Sequence, residues 1–465
     1  MGPLAHPALR ALTARRSPIS TAALTAALLL AVLVSACGGG SAEKAVTASP
    51  AAETSSASPA SPASPSPTSA GIGAPEFDPA RALAHVRKLS VDIGSRPAGS
   101  AAEKAAAQYI QGELAADGYD TSLQDFPVQV FVDVKTKLAV TAPEPRGLDA
   151  AALSGSASGT ADGGLVSAGQ GMPAEFPTGA AGQVVLLQRG VLTFTEKVQN
   201  AAAAGAAAAI IYNNQPGPFQ GRVTATTAIP AIAISQEDGQ ALLDLLKAGP
   251  VTLHVEVQAE TRGSASQNVI ARPPGGDCRL VLGGHYDSVP AGPGANDNAS
   301  GTATVMEIAR VLAARGRQPG ACFVLFGAEE IGLVGSAHFV NSLSDAERGR
   351  ITAMLNFDML AVGSGWPLAG SPEIIDLAAS RARALGLEYE ASAELTANVG
   401  SDHASFIGAG IPSIMFNCFC DPNYHTADDR FEFVQESRLR DAGALGLEVA
   451  QTLLQGAPTS AATSP

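Results

Sequence analysis

Apolar positions along this chain follow two rhythms. Helical spacing, with apolar residues three and four apart, runs over Phe77–Leu89 and Ala101–Asp117, where Gly118 supplies a stop. Past residue 280 short continuous apolar runs take over: Leu280–Leu282, Cys322–Phe326, Ala353–Phe357 and Pro412–Phe416. Helical stretches such as Gly301–Ala314 and Glu373–Leu385 lie between them. Apolar strands alternating with helices predict an α/β fold, a mixed and mostly parallel sheet flanked by helices. In such sheets sites form at the carboxyl ends of the strands, so polar residues there carry the most information.

Residues 127–266 interrupt this rhythm. They hold strand-like pieces (Val128–Val140, Val184–Leu187, Val251–Val257), Gly-rich turns and one helix-like stretch, Thr195–Ala204. This reads as an inserted β-rich domain that splits the α/β unit into 76–126 and 267–457. The ends of the chain differ again. Residues 1–36 carry Arg10, Arg15 and Arg16 without an acid, then the apolar run Thr21–Val34, the pattern of a secretory signal peptide. That run is too short for a confident membrane span. Residues 37–75 are almost entirely Gly, Ala, Ser, Pro and Thr, a composition expected of a disordered spacer. The tail 458–465 has the same character.

Charge narrows the partners. Lys and Arg number 29 against 43 Asp and Glu, a net charge of −14, which argues against nucleic acid and against docking on anionic lipid through the folded body. Apolar residues make up 46%, enough for a sizeable core and too many for full-length disorder. Of the five Cys, Cys37 belongs to the N-terminal signal and four remain, allowing three pairings. Cys278 and Cys322 each open a strand-like run and could bridge neighbouring strands. Cys418 and Cys420 would then close a tight ring or stay reduced. No C-x-x-C spacing supports a metal–thiolate site.

Five polar clusters follow residue 280. Gly283-Gly284-His285-Tyr286-Asp287-Ser288 comes straight after a strand, and residues two apart share a face, so His285 and Asp287 point together. A metal-bound His usually hands its other N–H to a carboxylate, which Asp287 supplies. The alternative is a satisfied His near a turn. Asp297, in Asn296-Asp297-Asn298, precedes a helix and would ordinarily serve as its entry residue. Glu329 and Glu330 end an apolar strand, where adjacent carboxylates are costly unless paired or metal-bound. Asp358 also ends a strand, and Tyr424-His425 follows the last one. Singly, each cluster is more often bland than functional. Together they make a nitrogen and oxygen ligand set for two zinc ions with one Glu left for acid–base work.

The order H-x-D, N-D-N-x-S-G, A-E-E-x-G-L-x-G-S, N-F-D-M and Y-H-T over residues 285–429 resembles the M28 family of co-catalytic zinc aminopeptidases. The resemblance implies a zinc-exopeptidase fold with two Zn2+ ions. His285 and Asp358 would bind one ion, Glu330 and His425 the other, and Asp297 would bridge them. Glu329 would be the general base, Tyr424 would polarise the substrate oxygen, and Asp287 would orient a ligand from behind. Glu329 and Asp358 would hold the substrate α-ammonium, limiting the substrates to peptides with a free N-terminus. At Gly400, some secreted relatives carry an Arg that grips a substrate carboxylate.

Gln188-Arg189-Gly190, Phe194, Lys197, Ala203-Ala204-Gly205-Ala206, Ile210-Ile211-Tyr212-Asn213 and Ile229–Ser235 resemble a protease-associated (PA) domain, usually a non-catalytic lid or access module. The small residues ending at Cys37 resemble a bacterial lipobox, which implies export, lipidation of Cys37 and anchoring on the outer side of the cell membrane, with plain secretion as the alternative. Two further readings stand beside the aminopeptidase. One keeps the fold as a glutaminyl cyclase or a carboxypeptidase; the other is a catalytically inactive peptide-binding lipoprotein. Nothing in the sequence sets the oligomeric state.

Overall fold

The computed structural model describes residues 76–456 except 226, 317–318, 364, 392–399 and 419–420. The expectations for the signal, the spacer, Cys37, Cys420 and the 458–465 tail lie outside the described residues. Among the described residues no helix is long and apolar enough to cross a membrane.

Four parallel strands form the centre, in the spatial order Ser413–Phe416, Ala353–Phe357, Leu280–His285 and Ala321–Phe326. Pro367–Gly370 adds antiparallel to the first of these and Thr252–Arg272 antiparallel to the last. The four central strands are buried along their length, and alternate residues enter opposite cores. Leu280, Leu282, Phe323, Leu325, Leu355 and Phe357 face one core, shared with buried residues of the helices Pro79–Arg87, Ala101–Ala116, Gly301–Ala314, Pro372–Ala384 and Glu436–Gln455. Val281, Val324, Phe326 and Met354 face the other, with Phe339 and Phe406 from shorter helices. Burial on both faces explains the unbroken apolar runs in the sequence.

Cys278 and Cys322 are joined by a disulfide, with Cα atoms 5.4 Å apart, where these two parallel strands begin. The packing is close where the site is built. A Cβ at Gly301 or at Gly284 would collide with the Phe357 carbonyl oxygen. These glycines let the helix start and the His285 strand approach the strand that precedes Asp358.

The inserted region is wired into the same sheet. Asp120–Ala142 and Thr252–Arg272 are single long strands, antiparallel to each other from Asp120 opposite Arg272 to Ala142 opposite Thr252. The boundaries read at 126/127 and 266/267 therefore fall inside continuous strands; a period-two pattern does not mark the point where a long ribbon leaves one core for another. Beyond the ribbon, Gly159–Ser167, Val184–Gln188, Ala208–Tyr212 and Ala231–Ile234 are neighbours in parallel. Residues of these strands sit in two cores of their own.

Candidate metal centre

The central strands deliver their carboxyl ends to one rim. His285 is the last residue of its strand, and Asp358 follows Phe357 directly. Glu329 and Glu330 sit in the turn after Phe326, and Tyr424 and His425 in the loop after Phe416. Asp297 comes from the wound turn Ala295–Ser300 that leads into the helix Gly301–Ala314.

These side chains converge. His285 Nε2 lies 3.2 Å from Asp297 Oδ1, 3.4 Å from Asp358 Oδ1 and 4.0 Å from Glu329 Oε2. His425 Nε2 lies 3.2 Å from Asp297 Oδ2 and 3.0 Å from Glu330 Oε2. Asp297 thus turns one oxygen to each imidazole. Two ligands of a tetrahedral zinc, each roughly 2.0–2.1 Å from the ion, lie about 3.3 Å apart, the spacing seen across these pairs. Glu330 Oε1 and Asp358 Oδ1 are buried without a hydrogen-bond donor. Orphaned buried carboxylate oxygens are costly, and a cation supplies the missing partner. The donors of His285, Glu329 and Asp358 lie within 4.8 Å of one another, as do those of His285, Asp297 and Glu330. Imidazole and carboxylate donors in this arrangement fit zinc.

Electrostatics follow from packing so many acids under cover. Burial pushes the Glu329 carboxyl well above the usual range, with Glu330, Asp402 and Asp358 adding to it and His285 opposing. Burial works against the charged form of His285 and His425, yet the surrounding carboxylates hold both well above the ordinary histidine value. The Tyr424 ring is partly exposed and stacks on His425 at 3.7 Å. Its hydroxyl is pushed well up by burial and by Asp297 and Glu330, so it stays a donor.

A second layer aims these groups. The Asp287 carboxylate lies 3.5 Å from His285 Nδ1 and accepts the backbone N–H groups of Glu329 and Glu330 at 3.1 and 3.2 Å. It therefore orients one imidazole and pins the double-Glu turn. Three groups play comparable parts without having been singled out in the sequence. Asp429 accepts the N–H groups of Asn296 and Asp297 at 2.7 and 2.9 Å, and burial lifts its carboxyl to about 7. Fully buried Arg96 donates to the carbonyls of Tyr286, Pro293 and Gly294 at 2.7, 2.7 and 3.0 Å, tying the His285 strand end to the Asp297 turn. Glu103 accepts from Gly99 N, Ser266 Oγ and Ala328 N at 2.6, 2.6 and 3.1 Å. Burial lifts its carboxyl to about 8, with Asp287 adding. Asp429 lies four residues past His425, at the end of the span 285–429. Arg96 and Glu103 reach the site from far along the chain and left no local signal.

The backbone bears the cost of this convergence. Ala328, Met359 and His425 have φ of 56°, 55° and 60°, the left-handed region that non-glycine residues seldom occupy. Two of them flank Glu329 and Asp358, and the third is a donor itself. Such residues gather where function dictates side-chain direction. Three further histidines stay apart: His85 bonds Tyr109, His254 bonds Asp162, and His338 stacks on Phe126.

The donors open on a cavity of about 410 Å³. Gly400, Ser401 and Asn417 line one part of its wall, and Arg189 reaches it from the inserted region. Residues 268–450 match the model of peptidase family M28, and residues 149–242 match the PA domain. The chain is 35% identical over 394 residues to aminopeptidase YwaD of Bacillus subtilis strain 168, covering 79% of this chain and 83% of that protein.

The chain belongs to peptidase family M28.

Solved structures agree. A zinc aminopeptidase of Bacillus subtilis superimposes with a TM-score of 0.67 at 33% identity, over 80% of this chain and 94% of that one. An aminopeptidase of Aneurinibacillus sp. strain AM-1 gives 0.67 at 30% identity, over 81% and 94%. The peptidase core with its inserted PA domain accounts for the continuous sheet and for both groups of cores.

Proposed function

We propose that this M28 peptidase is a co-catalytic di-zinc aminopeptidase that removes N-terminal residues from peptides outside the cell. The observation that carries the reading is Asp297 held between His285 and His425, one carboxylate oxygen 3.2 Å from each imidazole, with Asp358 beside the first and Glu330 beside the second. His285, Asp358, Asp297, Glu330 and His425 would hold the two ions. When bound, the pair of ions lowers the pKa of a water molecule and polarises the scissile carbonyl.

The remaining steps belong to the chain. Glu329 takes a proton from the attacking water and passes it to the leaving amine. Its raised affinity for a proton suits a group that must first accept one. The Tyr424 hydroxyl, kept protonated, donates to the oxygen that gains charge. Glu329 and Asp358 present carboxylate oxygens to the substrate α-ammonium, which restricts hydrolysis to the N-terminal bond.

The purified protein should hold about two zinc ions per chain by elemental analysis and hydrolyse aminoacyl-anilides. Glu329→Ala should keep the zinc and lose about 10²- to 10⁴-fold in kcat. Undiminished turnover in that variant would remove Glu329 from its role, and a single ion per chain would remove the paired centre. The extracellular setting follows from the signal-like residues 1–36 and the small residues before Cys37. Lipidation of Cys37 would tether the peptidase to the outer face of the membrane through the Ala/Ser/Pro spacer. Cys37→Ala should move it from the membrane fraction to the medium; a variant that still sediments with membranes contradicts the anchor.

A further inference from the structure

The PA domain places one guanidinium group, that of Arg189, in the lining of an acid-rich cavity of the peptidase core. Arg189 follows the strand Val184–Gln188 and lines the cavity together with His285, Glu329, Asp358 and Tyr424. Among the described residues it is the one Lys or Arg in that lining. Its position is built. The backbone N–H of Arg189 donates to the Tyr212 carbonyl at 2.9 Å, and Nη1 donates to Asn213 Oδ1 at 3.1 Å. The guanidinium lies 5.2 Å from the centroid of the Phe219 ring. Arg222 reaches the same neighbourhood from another loop. A Cβ built on Gly332, two residues past Glu330, would stand 2.8 Å from Arg222 Nη1. Burial lowers the affinity of the Arg189 guanidinium for its proton, with Tyr424 the opposing influence, and Glu329 lies within electrostatic reach of Arg222.

Neither group spends its charge on an acid. Among the described residues no carboxylate forms an ion pair with Arg189 or Arg222, and Arg222 is solvent-exposed. A structural arginine at a domain boundary would ordinarily be paired with an acid on the other side. Here the acids opposite are the ones already assigned to metal and to the α-ammonium. On the other wall Gly400 lines the cavity without a side chain. The cavity volume falls in the range of small-ligand sites, roughly 300–1,000 Å³. A short peptide seated with its α-ammonium on Glu329 and Asp358 must place a second charge, its terminal carboxylate, somewhere in the same enclosure. A guanidinium fork matches that carboxylate with two parallel hydrogen bonds.

We propose that Arg189, supported by Arg222, determines specificity by binding the C-terminal carboxylate of short peptides, so that peptides with both ends free are the preferred substrates. The proposal deepens the aminopeptidase reading and depends on it. The PA domain then supplies a recognition group to the peptidase core and does more than cover it.

The test uses the zinc-loaded full-length protein with three probes: Leu-Gly-Gly, Leu-Gly-Gly-amide and leucine anilide. For the wild type, kcat/KM should favour the free acid over the amide by about tenfold or more, carried mainly by KM, as expected for loss of a charged hydrogen-bonded contact. Arg189→Ala and Arg222→Ala should each bring the acid-to-amide ratio toward one. Arg189→Glu should invert it, an outcome that a purely structural role for Arg189 does not produce. Exposed Arg222 keeps the test available if the Arg189 variants fail to fold. Equal use of acid and amide by the wild type, or an unchanged ratio in Arg189→Glu, overturns the proposal while turnover of leucine anilide leaves the aminopeptidase standing. Failure to turn over any of the three removes both readings.

Discussion

Two sets of parallel strands run through the described residues, and only one of them gathers imidazoles and carboxylates at its strand ends. In the peptidase core, the ends of Leu280–His285, Ala321–Phe326, Ala353–Phe357 and Ser413–Phe416 carry or lead to imidazoles and carboxylates within 3.0 to 4.0 Å of one another. In the PA domain, the ends of Val184–Gln188, Ala208–Tyr212 and Ala231–Ile234 lead to Arg189, Asn213 and Ser235. Those residues satisfy each other or the backbone: Asn213 accepts from Arg189, and Ser235 caps the helix that follows. Parallel topology gathers polar residues at strand ends in both places. What separates the two is unmet demand. The peptidase ends hold buried oxygens with no donor, at Glu330 and Asp358, while the described PA strand ends close their own hydrogen bonds.

The largest test of this contrast removes the shared oxygen donor. Asp297→Ala should lower zinc affinity by more than about 100-fold, since loss of even an outer partner of a ligand typically costs 10- to 100-fold, and activity should fall with it. Full zinc occupancy at micromolar metal would show that the two imidazoles need no bridge.

A smaller effect separates burial from catalysis. His403 is 3% exposed, and burial lowers its pKa to about 4. Below the ordinary value of 6.5 the unfolded chain takes up this proton first, so the stabilising contribution is whole above pH 6.5 and is lost as pH falls toward 4. In the zinc-free protein this loss amounts to about 2 kcal/mol by pH 5. His403→Asn should flatten that part of the pH profile of chemical denaturation; a profile identical to wild type would show that burial of His403 is not the cause.

The smallest effect lies in the PA domain. Lys197 is buried, and its ammonium donates to the Gln170 carbonyl at 2.5 Å. Lys197→Met keeps the packing and should cost about 1 kcal/mol in unfolding, with zinc content unchanged. A drop in zinc content would mean that the PA domain shapes the metal centre after all.

The sequence made the α/β class legible because central strands buried on both faces must be apolar throughout. It also displayed His285, Glu329, Glu330 and Asp358, which stand at or just past the end of such a run, where a polar residue is conspicuous, and Asp297 and His425 within the polar motifs N-D-N and Y-H-T. It did not display Arg96 or Glu103. Arg96 acts on carbonyls 190 to 198 residues away, and Glu103 accepts from Ala328, 225 residues away. No periodicity encodes a contact across that distance. The ribbon of Asp120–Ala142 with Thr252–Arg272 was hidden for a related reason. Its alternation continues unchanged as it passes from one core to another, so the chain shows no break where the inserted region begins.

By itself, then, the amino-acid sequence determined the kinds of donor and their positions at strand ends, because burial and side-chain periodicity are local properties of a chain. Only the tertiary structure decided that Asp297 would face two imidazoles and that the cation facing the acids would come from the PA domain. Those are relations between segments far apart in sequence, set by strand order, by the left-handed backbone at Ala328, Met359 and His425, and by the buried hydrogen bonds that hold each turn in place.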